Sequence, residues 1–162
     1  MRRLKDFFRA LFYVFRYGSK VMFKDNLTGL YNRQFFDRVA DIEISRALRY
    51  DHPLSLVLID LDDFKKYNDQ FGHLQGDQIL QRVGKALWEN SRESDIPARW
   101  GGDEFVVLLP DTDSDSANVF CTRVEENIPV IDITYGFSSL ADGCETLSCL
   151  ISIADKRMYQ HK

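Results

Sequence analysis

Carboxylates occur at two places where the chain is predicted to end a strand or to turn. They are Asp60, Asp62, Asp103 and Glu104. A strand end presents a carboxylate rigidly, and Mg²⁺ prefers hard oxygen ligands, usually one or two carboxylates together with substrate phosphates. If the two strands are neighbours, Asp60 and Asp103 converge at one edge of a sheet. The two acidic pairs then predict a two-metal site for in-line attack at a phosphorus atom.

These acidic residues and the glycines beside them also have simpler interpretations. Acidic residues at strand ends are commonly solvated turn formers. The pair Gly101-Gly102 could simply make the turn, or, because glycine has no Cβ, could let a nucleotide phosphate lie against the backbone. Packing gives no reason to gather four acids at adjacent strand tips, so the whole set favours the metal site.

The elements that would position these side chains are predicted from the hydrophobic pattern. Short apolar runs predict strands at 54–59, 96–100, 104–109 and 131–137. The second and third of these form a tight hairpin around the glycine pair. Longer patterns predict helices at 33–50, 63–71, 75–90, 116–127 and 147–161. This order indicates an α+β fold, with a mainly antiparallel sheet and helices packed on it.

Residues 1–24 are predicted to form an amphipathic helix that precedes the domain. Its heptad positions are Leu4, Phe7, Leu11, Val14 and Val21. Residues 1–25 hold seven Lys and Arg and two Asp, which gives this segment a charge of +5. Because the net charge of the whole chain is −4, the remaining residues carry a charge of −9. We interpret the helix as a dimerisation segment or linker; the alternative is an anchor on a membrane surface. Turn-forming residues then mark the start of a domain at 25–162.

Composition narrows the function classes. A net charge of −4 argues against nucleic acid as a partner. No apolar run approaches the ~20 residues of a membrane span, and the basic N-terminus lacks the continuous apolar stretch of a secretion signal. Cys121, Cys144 and Cys149 form no CxxC pair. They are therefore expected to be reduced thiols in a cytoplasmic protein.

Four segments, in order, resemble the GGDEF family of diguanylate cyclase domains. They are DNLTGLYNR (25–33), DLDDFKKYNDQFGHLQGD (60–77), RWGGDEF (99–105) and ADKRMYQHK (154–162). The resemblance covers about residues 25–162 and implies the family's nucleotidyl-cyclase palm-like fold. The chain departs from the family pattern at Asp63, where histidine is usual, and it ends before the Gly-Arg-Asn that usually follows Lys162.

The resemblance also implies the metal ligands and the catalytic groups. Asp60 and Asp103 match the side chains that hold metal, assisted by the backbone carbonyl of Leu61. Glu104 matches a second acid needed for metal binding and catalysis, and Lys65 is included among the catalytic residues. The implied cofactor is Mg²⁺ or Mn²⁺, with two ions in each active half-site.

Further positions match substrate-binding residues of the family. Asn68 and Asp77 match the residues that read the guanine edge, and a carboxylate can accept hydrogen bonds from both N1–H and the 2-amino group. The implied phosphate contacts are Phe64, Lys65, Gly101, Gly102 and Lys162. The simpler interpretations are helix capping for Asn68 and Asp77, and solvated charges for the two lysines.

An RxxD motif, Arg92 to Asp95, stands just before the hairpin, as in product-binding relatives. Arg123 matches a further arginine that helps to bind product in some of them. An arginine fork oriented by a carboxylate suits guanine or phosphate. The alternative is an ordinary surface ion pair, worth ~0–1 kcal/mol.

The function implied by the resemblance is the condensation of two GTP molecules into cyclic di-GMP and two pyrophosphates. Each chain would offer one half-site, so the active form would be a homodimer, with inhibition by its own product at the RxxD site. The alternative is a catalytically weak or inactive domain that binds GTP or cyclic di-GMP as a signalling module.

Overall fold

A five-stranded sheet with helices on both faces forms the centre of the computed structural model, which describes residues 23–128 and 130–160. The strands are β1 (Tyr31–Asn32), β2 (Leu54–Leu61), β3 (Ile96–Gly101), β4 (Glu104–Pro110) and β5 (Ile133–Ser139). The helices are α1 (Arg33–Tyr50), α2 (Phe64–Phe71), α3 (His73–Asn90), α4 (Ser114–Glu126) and α5 (Leu147–Gln160), with a short 3-10 turn at Leu140–Asp142.

The order of strands in the sheet is β1-β3-β4-β2-β5. Only β1 and β3 run parallel; the other neighbouring pairs are antiparallel. The predicted α+β fold is therefore confirmed. Strand β1 was not predicted, because two residues are too few to show a periodic pattern. The predicted helix at 1–24 falls almost entirely on residues 1–22, which lie outside the described residues, as does Lys162.

Alternate side chains of the central strands face two separate cores. Val57, Ile59 and Leu61 of β2 pack with α3 and α4, whereas Leu56 and Leu58 pack with α1 and α5. Because both faces are covered, the strand is an almost continuous apolar run, with Asp60 as its one partly exposed residue. The sequence signal for β2 was therefore strong.

Two helices begin at positions other than the predicted ones because a cap or a glycine decides where they start. Helix α4 begins two residues before the predicted position because the Asp113 side chain accepts the Ser116 N–H at 2.8 Å and caps the helix. Helices α2 and α3 are separated only by Gly72, whose φ of +85° suits glycine. Helix α3 consequently begins at His73 rather than at 75.

The cysteine prediction is wrong for two of the three residues. Cys144 and Cys149 form a disulfide with their Cα atoms 5.5 Å apart. Residues 143–146 connect the 3-10 turn to α5 and bring Cys144 close to Cys149, which their spacing did not indicate. Cys121 is a free, buried thiol, and burial raises its pKa to about 12. Of the helices that the structure describes, none is both long and apolar enough to cross a membrane.

The two edges of the sheet are β1 and β5. Strand β1 has only two residues. At the other edge, Arg157 of α5 donates to the backbone carbonyl of Phe137 at 2.9 Å. Its guanidinium also pairs with Asp142, with one Nη2–Oδ1 distance of 2.8 Å. A side chain therefore occupies part of the hydrogen-bonding edge of β5.

Candidate functional site

The end of β2 and the start of β4 place two carboxylates opposite one another. Asp60 and Glu104 are directly paired in the antiparallel register of these strands. Side chains alternate along a strand, so both residues share the face of Leu58 and Val106, which pack towards α1 and α5. Asp103 precedes Glu104 at the tip of the β3–β4 hairpin. The structure thus brings three of the predicted metal-binding residues to one end of the sheet.

The electrostatics of this end are strongly acidic. Burial raises the pKa of Glu104, and the charges of Asp60, Asp103 and Asp155 raise it further, while Arg33 opposes them. Asp155 on α5 and Arg33 at the start of α1 were not predicted as members of the site. Both lie within segments that carry the family resemblance, and that was the available signal.

The donor set fits a hard divalent cation that shares its coordination with a substrate. Within the described part of the chain, no three His, Cys, Asp or Glu side chains form a ready-made metal cage. Mg²⁺ is commonly bound by one or two carboxylates plus phosphates. The mutual repulsion that raises the pKa of Glu104 is what a bound cation would relieve. Asp60, Asp103 and Glu104, with the backbone of Leu61 next in the strand, would therefore hold it.

Asp62 has a different structural role from Asp60. The Thr134 hydroxyl lies 2.7 and 2.9 Å from its two carboxylate oxygens. Its backbone N–H donates to the carbonyl of Asp132 at 2.9 Å. Asp62 therefore links the end of β2 to β5. Of the two acids predicted at this strand end, only Asp60 faces Glu104, whereas Asp62 has a structural role.

The hairpin tip is open to a large ligand. Gly102 has a φ of +53°, a conformation that favours glycine. A Cβ built on Gly101 or Gly102 would meet nothing within 4 Å, so the space beside both glycines is open. The register between β3 and β4 shifts between Arg99 and Gly101, which interrupts the regular ladder at the tip.

Asn68 and Asp77 lie on adjacent turns of α2 and α3. The Asn68 Oδ1 atom is buried and has no hydrogen-bond partner among the described residues. It faces Gly76, where a Cβ would collide with it. Neither residue is a helix cap, because α2 and α3 follow Asp63 and Gly72. The capping interpretation therefore fails. The unpaired amide oxygen of Asn68 lies against Gly76, the residue before the exposed Asp77.

The start of α2 offers backbone donors. Phe64 is buried as the first residue of the helix, and Lys65 is exposed beside it. The first N–H groups of a helix have no partner within the helix, and Asp63 provides no side-chain cap. These groups could therefore bind an anion such as a phosphate.

Arg92, Asp95 and Arg123 line one cavity of about 150 Å³, separate from the acidic end of the sheet. Asp95 is buried, its Oδ2 accepts the backbone N–H of Arg92 at 2.7 Å, and its Oδ1 has no partner among the described residues. Burial raises the pKa of Asp95, although the hydrogen bond from Arg92 and the positive charges of Arg92 and Arg123 act to lower it. Arg123 donates to the Asn90 carbonyl at 2.9 Å. Because Asp95 is buried, this group of one carboxylate and two arginines is not an exposed surface ion pair.

A family model and several known proteins resemble this chain. The family described as "Diguanylate cyclase, GGDEF domain" matches residues 22–162. The response regulator PleD of Caulobacter vibrioides is 36% identical over 151 residues, which cover 85% of this chain and 33% of PleD. Diguanylate cyclase DosC of Escherichia coli is 35% identical over 146 residues, which cover 83% of this chain and 32% of DosC.

A solved structure reports a novel interaction mode between a microbial GGDEF domain and bis-(3′,5′)-cyclic di-GMP. This chain resembles it with a TM-score of 0.78 and 27% identity, over 88% of this chain and 91% of that chain. The chain spans about a third of the length of PleD and DosC. Because the family match includes the strands, the hairpin and the acidic end of the sheet, the chain belongs to the GGDEF domain family of diguanylate cyclases.

Proposed function

We propose that the domain at 25–162 condenses two GTP molecules into cyclic di-GMP and two pyrophosphates. The observation that carries this proposal is the pairing of Asp60 with Glu104 beside an open hairpin tip. The relative DosC bears the name of a diguanylate cyclase. The reaction joins the 3′-oxygen of one GTP to the α-phosphorus of the other, twice, and each attack releases pyrophosphate.

The chain's own residues bind and orient the nucleotide. Asp60, Asp103 and Glu104 would hold Mg²⁺ or Mn²⁺, two ions in each half-site, and these supply Lewis acidity for the attacking hydroxyl and charge for the phosphates. The N–H groups at the start of α2 bind phosphate oxygens, and Lys65 offsets their charge. The open tip at Gly101-Gly102 lets the phosphates approach the backbone. Lys162 is proposed as a further phosphate contact.

Guanine selection falls to Asn68 and Asp77. The Asp77 carboxylate accepts hydrogen bonds from N1–H and the 2-amino group, which adenine does not offer together. Asn68 contributes an amide whose buried oxygen has no partner among the described residues. Leaving such an atom unpaired costs about 1–3 kcal/mol, so a ligand that supplies a donor gains binding energy there.

Two copies of the domain must face each other, because each offers a single half-site. We assign pairing to residues 1–24, whose heptad pattern suits a dimer seam. Contact of the same segment with a membrane surface is the alternative, and sedimentation with vesicles distinguishes it from pairing. A substrate that is an intracellular nucleotide fits a cytoplasmic location for the domain.

Product feedback is assigned to the cavity of Arg92, Asp95 and Arg123. Cyclic di-GMP bound there would hold two domains in an arrangement in which their half-sites do not meet. The second candidate function is a binding module without turnover, and the same cavity favours it, since ligand binding there needs no catalysis.

Incubation with GTP and Mg²⁺, followed by identification of the product by mass, tests the proposal. We expect cyclic di-GMP and pyrophosphate, with a rate per chain that rises with protein concentration. A chain that binds cyclic di-GMP but forms none from GTP would be the binding module. The Asp103→Asn variant is the matched control for contaminating activity.

A further inference from the structure

Arg99 joins two parts of the chain that are 74 residues apart. Its Nε and Nη2 atoms donate to the backbone carbonyl of Gly102 at 3.0 and 2.7 Å. Its Nη1 lies 3.4 and 3.5 Å from the two carboxylate oxygens of Asp25. Only 18% of the Arg99 side chain and 23% of the Asp25 side chain are exposed, so this contact is shielded from solvent.

Asp25 is itself fixed by a tight turn. Its Oδ1 accepts the backbone N–H of Thr28 at 2.9 Å and the Thr28 hydroxyl at 2.7 Å. Its backbone N–H donates to Leu30, and its carbonyl accepts the N–H of Gly29. Burial opposes ionisation of Asp25, but the hydrogen bonds from Thr28 and the charge of Arg99 outweigh it and lower the pKa. Arg99 is therefore anchored on a rigid, charged support.

The contact constrains the part of the hairpin that the sheet does not hold. The ladder is irregular between Arg99 and Gly101, and Gly102 has the backbone freedom of glycine. A trans peptide is planar, with its C=O and the following N–H pointing in opposite directions. Holding the Gly102 carbonyl consequently fixes the plane of the Gly102–Asp103 peptide. That plane fixes the positions of the nitrogen and Cα of Asp103, from which its side chain leaves the backbone.

We propose that Arg99 is a positioning residue of the nucleotide site, which holds the hairpin tip against the Asp25 turn so that Asp103 stays beside Glu104. This inference rests on the proposed function, because it gives the orientation of Asp103 a catalytic consequence. Arginine is required, since its planar fork reaches the carbonyl and the carboxylate together, whereas a lysine ammonium is a single point donor.

The chain contains a matched control. Arg157 also bridges a backbone carbonyl, that of Phe137, and a carboxylate, that of Asp142. It does so at the edge strand β5, away from the hairpin tip. Arg157→Lys thus removes the same kind of fork without touching the tip. Asp25→Asn provides a second approach, because an amide oxygen still accepts both donors of Thr28 while the charge facing Arg99 is lost.

The experiment compares Arg99→Lys, Asp25→Asn and Arg157→Lys with the parent chain. We would measure kcat and KM for GTP, the free energy of unfolding in urea, and amide hydrogen exchange of residues 101–104 without nucleotide or metal. Arg99→Lys and Asp25→Asn are expected to lower kcat at least tenfold with KM changed less than twofold. Exchange at the tip should accelerate in these two variants alone. Their double variant should be no worse than Arg99→Lys, because both break one contact.

An unchanged kcat in Arg99→Lys overturns the inference, as does a loss of kcat that Arg157→Lys reproduces at equal loss of stability. If Arg99→Lys does not fold, the inference is tested with Asp25→Asn instead. A kcat and a rate of amide hydrogen exchange equal to those of the parent in that variant overturn the inference. If the parent itself makes no cyclic di-GMP, the proposed function fails. The exchange comparison, which uses no nucleotide, then still shows whether Arg99 holds the tip.

Discussion

Substituting Gly76 by alanine should impair guanine selection while leaving the fold intact. An added Cβ would collide with Oδ1 of Asn68, lie 2.9 Å from its Cγ, and lie 3.2 Å from Cζ of Phe64. The first two atoms belong to a flexible side chain, so Asn68 turns away and only the Phe64 ring shifts slightly. Alanine is favoured over glycine in a helix by roughly 0.5–1 kcal/mol. The free energy of unfolding should therefore stay near that of the parent or rise.

We expect the substitution to weaken the binding of GTP. If Asn68 binds guanine as proposed, turning its side chain away removes one hydrogen bond to the base, worth about 0.5–1.5 kcal/mol, or roughly twofold to tenfold in affinity. We would measure kcat/KM for GTP and for ATP from pyrophosphate release, and compare the ratio of the two with that of the parent. The ratio should fall by this factor, mainly through KM for GTP.

A double-variant cycle tests the route of the effect. If Gly76→Ala acts through Asn68, then adding Asn68→Ala to it should produce no further loss of discrimination. Fully additive losses would refute the reasoning, and so would an unchanged GTP-to-ATP ratio in Gly76→Ala with a folded protein.

Four further perturbations have expected outcomes. Asp60→Asn or Asp103→Asn should abolish cyclic di-GMP synthesis with an unchanged circular dichroism spectrum; near-parent turnover at limiting Mg²⁺ would exclude the metal assignment. Glu104→Gln should raise the melting temperature at pH 7 without metal, because the raised pKa of Glu104 means that folding disfavours the charged carboxylate. This gain should vanish as the pH falls below 4.5, the ordinary pKa of a glutamate, where the carboxyl is protonated in both the folded and the unfolded protein. Arg92→Ala should weaken cyclic di-GMP binding tenfold or more by calorimetry, because it loses ~1.5–3 kcal/mol of binding energy, and should leave the initial rate unchanged. Equal affinity in the parent and the variant would mean that Arg92 and Asp95 are an ordinary surface pair. Cys149→Ser should lower the free energy of unfolding in urea by about 2 kcal/mol, from the loss of a short cross-link; equal stability in dithiothreitol and in its absence would contradict this.

The fold could be predicted from the sequence wherever one periodic pattern decided an element. Strand β2 was evident because both of its faces are buried, and the β3–β4 hairpin was evident from its glycine pair. Helix α1 was predicted with its observed bounds, since Asn32 caps it and its apolar stripe is regular. The short β1 and the 3-10 turn carried too few residues for any pattern. The disulfide was missed because it depends on the path of the chain between Gly143 and α5.

The site was predicted less completely, because several of its properties arise only from spatial neighbours. The sequence showed the acids but not that Thr134, 72 residues from Asp62, would bind that carboxylate. It also did not show that Gly76 makes room for Asn68, or that Asp155 and Arg33 adjust the charge around Glu104. Each of these depends on side chains brought together by the sheet register and by helix packing.

The edges of the sheet bear on how two copies can meet and separate. An exposed strand edge can join the edge of another copy in a continuous sheet, which is a strong association. Here one edge is a two-residue strand, and on the other the Arg157 guanidinium holds the Phe137 carbonyl. Strand β1 thus offers only two residues to a partner, and the Phe137 carbonyl of β5 is already bound. Edge-to-edge pairing through β5 would therefore require the Arg157 guanidinium to leave the Phe137 carbonyl.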